Sequence, residues 1–121
     1  METGLAYLDF DYSEDAEGHG SFDAMAAAAP AQFDALQAEV LRVLDWAHRS
    51  FGAPAPLEEG GEWDVELQGV RELATPLAVR YAAGRGLALQ AEGPDTQRTT
   101  LTLTLSGTAT FCDAFRQAFA F

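Results

Sequence analysis

Thr100-Leu101-Thr102-Leu103-Thr104-Leu105-Ser106 puts a leucine at every second position and a hydroxyl between each pair. A period of two belongs to a β-strand with one apolar and one wet face. Such a strand fits a sheet covered on one side only. Strands buried on both sides, as in doubly wound parallel sheets, are apolar throughout.

The segments on its N-terminal side follow the same rule. Trp63, Val65 and Leu67 alternate with Asp64, Glu66 and Gln68, and Leu77, Val79 and Tyr81 alternate with Ala78, Arg80 and Ala82. Leu87, Leu89 and Ala91 alternate with Ala88, Gln90 and Glu92 after a tight turn at Gly84-Arg85-Gly86; Gly93-Pro94-Asp95 is the next turn. Near the N-terminus, Leu8, Phe10 and Tyr12 alternate with Tyr7, Asp9 and Asp11, which predicts a first strand over residues 7–12. Residues 13–20 (SEDAEGHG) then read as a polar turn. Residues 21–29 fit either element. Their alanines favour a helix that Pro30 would cut short, whereas Phe22, Ala24, Ala26 and Ala28 alternate as a strand pairing with the first. The strand is the reading adopted.

Two segments switch to helical spacing. Phe33, Leu36, Val40, Val43, Leu44, Ala47 and Phe51 form one stripe, with Pro30 suited to the first turn and Gly52 to the C-terminal cap. At the C-terminus Phe111, Phe115 and Phe119 stand four apart, and Thr110 to Asp113 resembles a capping box. The order is therefore ββαββββα. The expected fold is a single α+β domain over residues 1–121: a two-layer sandwich with a mainly antiparallel sheet of five to six strands. Both helices cover one face of it, and Trp63 and Tyr81 point toward them.

Composition narrows the function classes. The 121 residues carry nineteen acids against seven bases, all arginine, for a net charge of −12. Lysine, isoleucine and asparagine are absent while alanine abounds, a coding bias of GC-rich bacterial genomes rather than a functional demand. Residues 1–66 hold −13 of the charge and residues 67–121 hold +1. Phosphate backbones and anionic membranes repel such a surface, so neither nucleic acid nor membrane is expected as a partner. A single cysteine excludes an intrachain disulfide, and the acidic start Met1-Glu2-Thr3-Gly4 is unlike a signal peptide, so a cytoplasmic location is expected.

No motif for a phosphate loop, zinc ribbon, serine elbow or dinucleotide fold occurs, and no cofactor is expected. The open sheet face, expected to carry Asp9, Asp11, Asp64, Glu66 and Arg80, is the leading partner-binding surface. Trp46 adds to it as a tryptophan about 110° off the apolar stripe of its helix, where it either covers the sheet edge or anchors a partner. In the 13–23 loop, His19 with Asp15 or Asp23 offers transition-metal ligands, but no second histidine stands at ligand spacing and the calcium-loop pattern fails. A solvated turn explains those residues better. Cys112 in the first turn of a helix can be drawn as a nucleophile with His48 or His19; a cysteine beside a core stripe is more simply packing.

The chain thus reads as a small acidic binding or regulatory module without evident catalytic machinery. It would act on a protein partner or on itself through the sheet face. The alternatives are an immunity-type inhibitor of a basic toxin or nuclease, and a small enzyme or metal protein using the loop.

Overall fold

Hydrogen bonds turn the period-two segments into two ladders rather than one. The computed structural model describes residues 5–120, so the N-terminal tetrapeptide read against a signal sequence lies outside it. Among the described residues the strands are β1 (Asp11–Glu14), β2 (Gly20–Ala28), β3 (Trp63–Ala74), β4 (Leu77–Ala82), β5 (Gly86–Ala91) and β6 (Thr96–Gly107). Helix α1 (Pro30–Phe51) follows β2, and α2 (Ala109–Phe119) closes the chain. The main sheet runs β1-β2-β6-β3, antiparallel throughout, and β4 and β5 pair only with each other. The α+β class, the order of elements and the helical cover on one face are as the patterning predicts. The single five- to six-stranded sheet is instead four strands and a separate hairpin.

One core joins the layers. Phe22 of β2, Leu103 and Leu105 of β6, Leu36 and Val43 of α1, and Phe111 and Phe115 of α2 are all fully buried in one cluster. Phe111 lies parallel to the Trp63 indole with centroids 5.8 Å apart, and Phe115 packs 4.3 Å from Phe22 and 5.3 Å from Phe10. Gly107 makes that stack possible, because a Cβ there would stand 2.2 Å from the Phe111 ring. The opposite sheet face, with Thr100, Thr102, Thr104 and Ser106, stays partly wet.

Three local expectations change. Residues 7–10 form no ladder, because the amides of Ala6, Tyr7 and Leu8 donate to the buried Glu39 carboxylate of α1 at 2.6–2.8 Å. Leu8 and Phe10 are nonetheless buried as their alternation requires. Helix α2 starts two residues early: Thr108, not Thr110, caps it, accepting from the Phe111 amide at 3.3 Å. The Thr108 hydroxyl in turn donates to Glu62 at 2.6 Å, while Asp113 pairs with Arg116 at 3.1 Å. Finally, Trp46 is buried, its ring 5.4–5.9 Å from those of Phe119, Phe115 and Phe111. The flank of α1 that carries it is the seat of α2.

Candidate functional site

β3 and β6 outrun their neighbours. Helix α1 meets the sheet edge at Leu67 and Leu101, yet the ladder continues to Leu73↔Gln97 and Ala74↔Thr96, beyond the last β2 pair at Ala28↔Thr99. Pro76 and Pro94 then interrupt it, as residues without an amide to donate must. Across this joint the Glu92 amide donates to the Pro76 carbonyl at 2.9 Å, and the Thr75 hydroxyl to Asp95 at 2.6 Å. The β4–β5 hairpin resumes beyond it and turns at Gly84 and Gly86, both at positive φ. At about 3.3 Å per residue the ribbon reaches roughly 30 Å past the covered sheet.

The register decides what this ribbon displays. Leu77 faces Ala91, Val79 faces Leu89 and Tyr81 faces Leu87, so one side of the hairpin is apolar at every position. The other side holds Ala78, Arg80, Ala82, Ala88 and Gln90. Tyr81, expected in the core, is 76% exposed, and Leu87 and Leu89 are 65% and 60% exposed. Arg80, Gln90 and Glu92 accordingly sit on or beside the hairpin, not on the main sheet face. Eight of the ten large hydrophobics exposed among the described residues fall between Leu67 and Leu89. The chain's accessible surface is 7814 Å², against roughly 6,300 Å² expected for a compact chain of this mass. A ribbon bare on both sides is in keeping with that excess.

A second apolar surface lies at the root of the ribbon. Phe33, Val40, Leu41 and Leu44 of α1 face Leu67 and Leu101 across a groove of about 210 Å³. Leu41 is 56% exposed there. Asp34 and Asp45, seven residues before and four after Leu41, flank it on the exposed side of the helix.

The acidic residues divide between two places. Cross-strand register aligns Asp11, Asp23, Thr104 and Glu66 in one row over the open sheet face, with Ser13, Ser21, Ser106 and Asp64 in the next. The Thr104 hydroxyl donates to Asp23 at 2.7 Å. Asp9 is exposed just ahead of β1 and outside the ladder. Asp23 therefore belongs to the sheet, not to the loop chemistry proposed for it.

In the β1–β2 turn, Asp15, Glu17 and His19 bring one potential ligand atom each to within 4.8 Å of one another. Local hydrogen bonding explains the cluster. Asp15 accepts from the amides of Glu17 at 2.8 Å and His19 at 3.0 Å, which closes the turn. Glu58, Asp64 and Ser106 line the shallow hollow beside it. Three ligands on an exposed turn fall short of the four of a structural zinc site. Zinc is expected to leave the thermal midpoint unchanged. A rise that disappears in His19→Ala would instead make the turn a metal centre.

Cys112 is buried against the Gly107 carbonyl, 3.6 Å away, and burial pushes its thiol above the usual value. The helix-end effect that would have activated it is outweighed. The Gly20 backbone, Tyr12 and Arg116 hold the thiol down in part, and none of these is a general base. Tyr12 is raised too, by burial first, with the Arg116 guanidinium 4.6 Å over its ring opposing. Both groups are held neutral in the fold. Their stabilisation is whole below the unfolded-state pKa values and is lost as pH climbs through the folded ones. Thiol reagents should reach Cys112 at the rate of global opening, and faster as alkaline pH loosens the fold. Labelling as fast as that of an unfolded peptide would contradict its burial.

No family model, curated protein or solved structure matches the chain, so the surfaces stand on geometry alone. No helix among the described residues is long and apolar enough to cross a membrane.

Proposed function

We propose that this chain is a protein-interaction module that works through the β4–β5 hairpin rather than through a catalytic centre. The observation that carries the reading is the hairpin's wholly apolar face, which no other described residue covers. A two-stranded hairpin is marginal in water on its own, and contiguous apolar patches beyond a few hundred Å² mark sites of association. The carboxylate cluster of the β1–β2 turn is accounted for by the hydrogen bonds of the turn itself, through Asp15 to the amides of Glu17 and His19.

Leu87→Glu/Leu89→Glu tests the reading. Leu87 and Leu89 face Tyr81 and Val79 across the hairpin and lie outside the core cluster, so far-UV circular dichroism and the fluorescence of buried Trp46 and Trp63 are expected to stay native. Cross-linked adducts formed by the wild-type chain in cells, with itself or with another protein, should vanish. Loss of native fluorescence, or adducts that survive, would refute it.

The row Asp11, Asp23 and Glu66 favours a second reading, an inhibitor that covers a basic toxin or nuclease with the open sheet face. Such binding would weaken steeply with salt, whereas apolar docking of the hairpin would not.

A further inference from the structure

We infer that the hairpin's occupant is a second copy of this chain, each copy laying its hairpin in the groove between α1 and β3 of the other. The inference rests on the interaction-module reading and names the partner for it.

Area is the first argument. Leu73, Leu77, Val79, Tyr81, Leu87 and Leu89 of the ribbon present roughly 700 Å², and Leu41 and Leu67 of the groove roughly 200 Å² more, against about 800 Å² that each partner buries in a standard stable interface. Charge is the second. Residues 67–98 hold four arginines and three acids, a net +1, and the rest of the chain holds −13. A nearly neutral ribbon, with Arg80 on its polar side and Arg85 at its turn, is drawn to an acidic body rather than to its own kind. Asp34 and Asp45 beside the groove supply that complement.

The third argument is closure. Among the described residues the hairpin face and the groove around Leu41 are both uncovered. A reciprocal exchange about a two-fold axis covers both in both copies, so the contact closes on itself at two. Hairpin stacked on hairpin would hide one surface and leave Leu41 in water. The groove and the ribbon are also continuous, because Leu67 lines the first and begins the second.

Light scattering of the purified chain is expected to give twice 13.0 kDa at micromolar concentration. Leu41→Glu and Leu89→Glu should each weaken the dimer by at least about thirtyfold, the loss typical of an interface hot spot. Both positions are exposed in the subunit, so both variants are expected to keep the far-UV circular dichroism of the wild type. Mixing the two should restore dimers, since the intact hairpin of the first meets the intact groove of the second. A photo-reactive phenylalanine at position 81 should cross-link to residues 33–44 of the other copy. A dimer indifferent to Leu41→Glu, or linked 81 to 81, overturns the exchange. A monomer whose hairpin cross-links to a different protein overturns the second copy as partner while the module reading stands. A monomer with no hairpin-dependent adduct overturns both.

Discussion

Phe115→Ala is expected to cost about 3–5 kcal/mol, as complete truncation of a buried phenylalanine does. The ring has no exposed surface and packs against Phe10, Phe22, Trp46 and Phe119, so four elements meet on it: the N-terminal segment, β2, α1 and the rest of α2. The cavity cannot close easily. Its walls are large rings held by their own neighbours, and collapse would need two helices and a sheet to move together. The loss is a third or more of the 5–15 kcal/mol typical of a domain, and the thermal midpoint should fall by more than about 10 °C. Thr102→Ala is the control. Its side chain stands on the wet face, and removing it should change the midpoint little. If the threonine substitution were the costlier one, the two sheet faces would be exchanged.

That contrast also marks how much of the fold is legible in the chain. Alternation distinguishes the two sides of every strand, and it does so correctly for Leu103, Leu105, Trp63 and Phe22. It even does so for the hairpin, whose Leu77, Val79 and Tyr81 do share a face. What a period of two cannot say is what covers the apolar side. For β2 and β6 it is a pair of helices. For β4 and β5 nothing among the described residues does, because Pro76 and Pro94 break the ladder beyond the reach of α1. Seen this way, two prolines in opposed positions of a long ribbon were the available signal. Trp46 failed for a related reason. Helix α1 buries more than one stripe, since α2 seats on its flank, and a single-stripe reading leaves Trp46 outside.

Register is the other hidden quantity. Asp15 and His19 stand four apart in one turn, so their meeting is local and legible. The row of Asp11, Asp23, Thr104 and Glu66 joins four strands spread over 94 residues or fewer, and no local pattern sets it. The cap of α2 belongs to the same class. Thr108 and Thr110 are equivalent as N-cap residues. Thr108 wins because its amide and hydroxyl both engage Glu62, and because Phe111 must stack on Trp63.

Glu39 supplies the second large effect. Its carboxylate is buried, and its two oxygens accept three consecutive backbone amides, Ala6 at Oε2 and Tyr7 and Leu8 at Oε1. Hydrogen bonds to a charged acceptor are stronger than neutral ones, and each amide left buried without a partner costs about 1–3 kcal/mol. Glu39→Ala should therefore destabilise by about 3–5 kcal/mol, limited by the energy needed to release the segment that carries Leu8 and Phe10. Glu39→Gln keeps one oxygen for Tyr7 and Leu8 but turns an amide group toward the Ala6 donor, so its cost should be roughly half. Asp34→Asn, an exposed acid on the same helix, serves as the control for charge alone and should change little. Amide exchange locates the effect. Protection at residues 6–8 should fall in the order wild type, glutamine, alanine, while Leu103 and Leu105 lose only what global stability loses. If all three chains protect residues 6–8 equally, the carboxylate does not hold the segment. The absence of a ladder over residues 7–10 would then need another cause.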